Sequence, residues 1–303
     1  MATPPFGRVL TAMVTPFDRF GKVDYQQANR LAVALVDSGT EGLVVTGTTG
    51  ESPTLSHEEK LLMYEAVLEA VRGRAQVIAG TTTYNTAESI ELSREAERLG
   101  VTGLLLTVPY YNKPPQDALY KHFVAIAESV SIPCLLYNVP TRTSLNMAAD
   151  TTIKLSHVDN IVGVKEASED FKQIAKIIED ADDNFWVWSG NDADTLPILS
   201  IGGYGVVSVV AHLAGRQVQR MIHAYLEGAQ EEAAALHRRM LPLVNTLFIV
   251  SNPIPVKHML NTVGFYVGEP RLPLAAPDAK TAAVIETELR KHTIDLPVKA
   301  GVR

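Results

Sequence analysis

The sequence predicts a (β/α)₈ barrel with a small helical extension at its C-terminal end, and three observations predict it. Eight short apolar runs recur along the chain, their starts roughly 20 to 35 residues apart, the span of one strand plus one helix. Most of the runs are continuously apolar rather than alternating, as in parallel strands covered by helices on both sides. Helix signals fill the gaps between them. An open doubly wound sheet satisfies the same periodicity, which does not detect closure, but eight uninterrupted units favour the barrel.

The runs are VLTAMVTPF (9–17), GLVVTG (42–47), QVIAGT (76–81), GLLLTVP (103–109), PCLLYNVP (133–140), IVGVKEAS (161–168), FWVWSG (185–190) and YGVVSVV (204–210). After the first, Asp24 with Gln27 opens a helix that Gly39 ends. After the second, Ser56 and Glu59 form an S-x-x-E capping box. Leu61, Tyr64, Leu68 and Val71 then make an apolar stripe, and Gly73 stops the helix. Leu99-Gly100 closes the next helix in the same way. Beyond about residue 226 the alternation gives way to helical patterns, GAQEEAAALHRRMLPLVNTLFIV and NPIPVKHMLNTVG. In the second, Asn252 is the expected cap and Pro253 stands in the first turn. RLPLAAP reads as a loop and KTAAVIETELRKH as a last helix. The expected division is therefore a barrel over residues 1–225 and a helical region over 226–303.

A chain of 303 residues, 46% hydrophobic, can bury such a core. The net charge of -7 argues against a nucleic-acid partner, which needs clustered Lys and Arg. The N-terminus, MATPPFGRVL, has no apolar run long enough for a signal peptide, and no stretch approaches the length of a membrane span. A soluble, cytoplasmic protein is expected. The one cysteine, Cys134, excludes an intrachain disulfide, and the eight histidines show no paired-ligand spacing, so no metal is expected.

In a barrel, functional groups sit at the C-terminal ends of strands. Lys165, inside GVKEAS, is the sharpest candidate. A lysine in an apolar strand is costly to bury as a cation and needs a partner or a depressed pKa. Glu166 is the obvious partner, yet strand alternation points it to the opposite face. A desolvated amine is a nucleophile toward a carbonyl, forming a Schiff base. Tyr137 ends the fifth run and suits proton relay or plain packing; Arg142, in the loop after it, suits a carboxylate or solvent. PYYNKPP (109–115) carries a tyrosine pair better matched to an interface or to packing than to catalysis. NDADT (191–195) resembles a metal site, but capping explains Asp192 or Asp194 equally well. The loop GTTGES (47–52) looks like a phosphate cradle, yet lacks a Walker lysine, and the next helix starts too late to present its N-terminus. Thr48, Thr49 and the loop amides suit a smaller anion such as a carboxylate, or the turn holds no ligand.

Taken together, GTTGES, PYYNKP, YNVPTRT, GVKEAS and NPIPVK, in this order and spacing, resemble the pyruvate-dependent class I aldolase superfamily, and within it the dihydrodipicolinate synthases. The resemblance spans essentially the whole chain. It implies condensation of pyruvate with aspartate semialdehyde, the first committed step toward diaminopimelate and lysine, without metal or organic cofactor. Lys165 then corresponds to the Schiff-base lysine and Tyr137 to the proton-transferring tyrosine. Thr48 and Tyr111 complete a hydroxyl relay, Tyr111 from a neighbouring subunit. Thr49 binds the pyruvate carboxylate, Arg142 the semialdehyde carboxylate, and the main chain at Val207 lies against pyruvate. A homo-oligomer, commonly a dimer of dimers, is implied. The N-acetylneuraminate lyases share the lysine and tyrosine but generally lack the arginine; a non-catalytic metabolite-binding barrel would tend to lose Lys165 or Tyr137. Feedback-inhibited relatives bind lysine at an interface matched here by Ser52, His57, Glu88 and Tyr110. Lys60 and Tyr84 depart from that pattern, and weak or absent lysine inhibition is expected.

Overall fold

The computed structural model describes residues 3–298. Its eight parallel strands close into a barrel, β8 pairing back with β1. In chain order the elements are β1 (Val9–Ala12), α1 (Tyr25–Asp37), β2 (Gly42–Val45), α2 (His57–Val71), β3 (Gln76–Gly80), α3 (Thr86–Leu99), β4 (Gly103–Thr107) and α4 (Gln116–Ala127). There follow β5 (Cys134–Asn138), α5 (Pro140–Thr143), α6 (Ala149–Leu155), β6 (Ile161–Glu166), α7 (Phe171–Asp180), β7 (Trp186–Ser189), α8 (Thr195–Ser200) and β8 (Gly205–Ser208). The chain then continues through α9 (Ala211–Leu226), α10 (Gln230–Thr246), α11 (Ile254–Thr262) and α12 (Ala279–Leu289). Every predicted run contains a strand. Each strand stops before its apolar run does, because the run continues into the loops of the C-terminal rim.

Local chemistry sets the helix ends. Asp24 accepts from the Gln27 amide at 2.9 Å. The Ser56 hydroxyl accepts from the Glu59 amide at 3.1 Å while the Glu59 carboxylate accepts from the Ser56 amide at 2.9 Å, the reciprocal capping box. Gly39 and Gly100 follow their helices with φ of 106° and 91°, a conformation that costs glycine nothing. The expected stripe of α2 meets the core, Tyr64 and Val71 buried and Leu61 and Leu68 half-buried against it, with Lys60, Met63 and Val67 buried beside them. One expectation is corrected. Asn252 does not cap α11; its side chain turns instead toward the GTTGES loop, because a buried threonine hydroxyl there competes for the amide.

Strand alternation sorts the side chains into two cores. Val9, Leu43, Val77, Leu104, Leu136, Val164 and Val206 face the helices. Leu10, Val44, Ile78, Leu105, Leu135, Trp188 and Val207 fill the barrel, together with Tyr137. Trp188 lies edge-on to Tyr204 at 5.1 Å and 6.2 Å from Phe6, and its indole donates to the Gly7 carbonyl at 2.9 Å. This aromatic cluster packs the barrel interior, and Gly163 makes room for it: a Cβ there would lie 2.7 Å from the Trp188 ring and 2.3 Å from the Trp186 carbonyl. Helices α10, α11 and α12 join the outer core through Leu236, Met240, Val256, Met259, Ile285 and Leu289. Among the described residues, no helix is long and apolar enough to cross a membrane.

Candidate active site

Lys165 and Tyr137 are direct partners across β5 and β6. Both side chains point into the barrel, and the Lys165 amine lies 3.9 Å from the centroid of the Tyr137 ring. Each residue is 5% exposed. Burial dominates both titrations. It pushes Lys165 down to about 7, with the Asp192 carboxylate opposing and Arg142 assisting the shift. It pushes the Tyr137 phenol up to about 12, with Arg142 and the Thr48 hydroxyl opposing. Near neutral pH the site therefore holds an amine that is substantially uncharged beside a protonated phenol. Glu166, as alternation required, faces away from the barrel interior and bonds to Asn138, Ser168 and Gln173.

The GTTGES loop forms the rim beside this pair. Thr49 is buried and accepts from Asn252 Nδ2 at 2.8 Å. Glu51 adopts φ 58° and sends its carboxylate to Lys257 at 2.7 Å. Arg142, on the short α5, donates to the Asn252 carbonyl at 3.2 Å. A cavity of about 230 Å³ is lined by Thr48, Thr82, Thr107, Tyr110, Val139 and Arg142 among others. Hydroxyls and one guanidinium suit a small carboxylate better than a phosphate chain. Val207 is buried in the interior layer with Tyr137.

The structure does not bring every candidate together. Tyr111 is 88% exposed, has φ 74°, and its ring lies 6.5 Å from Tyr84. Tyr84 and Tyr110 meet edge-on at 5.3 Å. His57 pairs with Glu95, and Glu88 accepts from Asn85 at 2.9 Å. Lys60 is almost wholly buried; burial lowers its pKa and Glu88 opposes that. Neither Asp192 nor Asp194 caps its own helix. Asp192 instead accepts from the Ser208 hydroxyl at 2.5 Å and from the Val209 and Val210 amides at 2.8 and 2.9 Å, clamping the turn after β8. Among the described residues no group of three or more His, Cys, Asp or Glu could hold a metal.

Sequence reasoning missed Asn252, Lys257 and the clamping role of Asp192. Their partners lie 203, 206 and 16 residues away along the chain, so no periodicity announces them. The only signal was their chemistry: a polar or charged residue inside an apolar pattern.

This arrangement matches known proteins along nearly its whole length. A model of the dihydrodipicolinate synthetase family matches residues 5–291. A 4-hydroxy-tetrahydrodipicolinate synthase of Dehalococcoides mccartyi is 54% identical over 293 residues, covering 97% of this chain and 99% of that protein. The crystal structure of a dihydrodipicolinate synthase from Bacillus anthracis superposes with a TM-score of 0.94 at 42% identity, over 96% of this chain and 99% of the other. A dihydrodipicolinate synthase from Cyanidioschyzon merolae with lysine bound gives 0.93 at 44%, over 95% and 98%. The buried lysine, the tyrosine beside it and the shape of the whole barrel thus have one common explanation: the chain belongs to the dihydrodipicolinate synthetase family and is an enzyme of the lyase class.

Proposed function

We propose that this enzyme works as a 4-hydroxy-tetrahydrodipicolinate synthase, joining pyruvate to L-aspartate 4-semialdehyde through an imine on Lys165. The observation that carries the reading is the Lys165 amine, buried, with its pKa brought down to about 7, and set 3.9 Å from the Tyr137 ring. The neutral amine attacks the pyruvate keto carbon. Tyr137 returns a proton to the departing hydroxyl, so that water leaves and a cationic iminium remains. The Tyr137 phenolate takes a methyl proton to give the enamine, whose carbon attacks the aldehyde; the resulting alkoxide takes that proton back through the hydroxyl relay. The amino group of the adduct then adds to the iminium carbon, the ring closes, and Lys165 leaves as the amine.

Thr49 and the GTTGES amides receive the pyruvate carboxylate, with Val207 against its other side. Arg142 receives the carboxylate of the semialdehyde, whereas a polyol substrate would have no use for it. Thr48 links Tyr137 to Tyr111 of the partner subunit, which requires at least a dimer, and a dimer of dimers satisfies it. In this reading the barrel, residues 1–225, carries the chemistry, Asn252 and Lys257 of the helical region 226–303 steady the rim, no metal or organic cofactor takes part, and the enzyme works in the cytoplasm.

Borohydride reduction in the presence of pyruvate tests the central step. The expected result is one stable pyruvate adduct on Lys165, absent in Lys165→Ala, together with turnover of pyruvate and aspartate semialdehyde in a coupled assay. An unmodified lysine under conditions that label a control aldolase overturns the reading.

A further inference from the structure

We propose that the Asn138–Glu166 pair on the outer face of the barrel is the positioning device that sets Lys165 against Tyr137. The proposal rests on the imine reading above. The pairs are consecutive rungs of one ladder: Tyr137 faces Lys165 and Asn138 faces Glu166. Alternation sends the first rung into the barrel and the second behind it. Asn138 is 0% and Glu166 1% exposed.

Glu166 has an unusual setting. Asn138 Nδ2 donates to its two carboxylate oxygens at 3.1 and 3.3 Å, the Ser168 amide at 2.8 Å and Gln173 Nε2 at 3.3 Å. Every contact is a donor, and no cation pairs with it among the described residues. Burial pushes its pKa up, and these hydrogen bonds oppose that. Asn138 cannot turn over to suit another partner. Its oxygen is held by the Met147 amide at 3.0 Å, and its nitrogen also donates to Asn146 at 2.8 Å.

A buried carboxylate without a counter-ion is a costly way to join two strands, since apolar side chains would do so at no desolvation penalty. What it adds is directional: donors fixed on β5, on the loop after β6 and on α7 converge on one group. The relative height of β5 and β6 is thereby pinned one residue from the reacting pair. Proton transfer is steep in such geometry, where about 1 Å of misplacement costs on the order of 100-fold. Imine formation is less demanding, because the amine swings on a four-carbon chain.

The test is Glu166→Gln. Wherever its amide nitrogen lies, it meets the donor of Ser168 or of Asn138. Three readouts are taken: borohydride labelling at saturating pyruvate, exchange of pyruvate methyl protons in D2O, and kcat. Complete labelling with exchange and kcat lowered on the order of 10- to 100-fold is the expected result. Loss of thermal stability with exchange and kcat unchanged assigns the pair a purely structural role and overturns the proposal. Equal loss of labelling and turnover also overturns it. Absence of labelling in the unaltered enzyme would instead sink the imine reading. Should Glu166→Gln fail to fold, Gln173→Leu removes one donor from the half-exposed α7 side. A fall in kcat of at least threefold at unchanged pyruvate KM is then expected, and an unchanged kcat overturns the proposal.

Discussion

Replacing Lys257 by methionine tests what holds the GTTGES loop in place. The Lys257 ammonium donates to Glu51 at 2.7 Å and to the Glu269 carbonyl at 3.2 Å, and lies 4.1 Å from the centroid of the Phe17 ring. Both charged side chains are 1% exposed. Burial brings the Lys257 pKa down to about 8, with Glu51 opposing the fall. Methionine fills similar space without charge, leaving the Glu51 carboxylate with the Arg271 amide at 2.8 Å and no directly paired cation, since the nearby Arg271 guanidinium is paired with Glu59. Removing one member of a buried pair costs ~3–5 kcal/mol, mostly the uncompensated charge left behind. For a chain of this size that lowers the unfolding midpoint by roughly 5–8 °C. Glu51 follows Thr49 by two residues, so the same change loosens the proposed carboxylate cradle and raises the pyruvate KM. Lys257→Met/Glu51→Gln removes both charges and should recover at least half of the lost stability. Thermal unfolding by circular dichroism and a pyruvate titration measure both effects. A single variant within about 1 °C of the parent, or a double variant no better than the single, would refute the reasoning.

Three further outcomes are expected. The kcat/KM for pyruvate should fall below pH about 7, as Lys165 becomes protonated. Arg142 lowers the Lys165 pKa and Asp192 raises it, so Arg142→Ala should move this acidic limb to higher pH and Asp192→Asn to lower pH; a limb that stays put in both breaks the electrostatic account. Gly163→Ala drives a methyl into the Trp186 carbonyl, 2.3 Å from an ideal Cβ, and should cost ~1–3 kcal/mol in denaturant unfolding; an unchanged midpoint contradicts the packing. Lysine should inhibit weakly or not at all, because a bound lysine would set its positive charges near buried Lys60 and meet Tyr84. Inhibition at sub-millimolar lysine in the coupled assay would reverse that expectation.

Much of the barrel was legible because its causes are local. A continuous apolar run marks a strand covered on both sides, and the Ser56–Glu59 and Asp24–Gln27 caps are settled within four residues of chain. Lys165 was legible for the same reason: a cation inside GVKEAS contradicts its surroundings, and alternation alone separates it from Glu166. The α2 stripe was legible too, all four of its residues meeting the core, although Lys60, Met63 and Val67 are buried beside it. Asn252 was misassigned because capping is only the local use of a side chain, and a buried hydroxyl on Thr49 competed for it.

The sequence by itself determined the fold class, the strand and helix order, and which side chains could do carbonyl chemistry, since propensity, period and charge are properties of neighbouring residues. Only the tertiary structure decided how those groups are tuned. The fall of Lys165 to about 7 is a desolvation effect of the closed barrel around it. The 3.9 Å approach of its amine to Tyr137 is fixed by the register of β5 on β6. The rim is held by Asn252, Lys257 and Asp192, reaching groups far along the chain. Burial and long-range pairing exist only after the barrel closes, so the residues were readable beforehand and their reactivity was not.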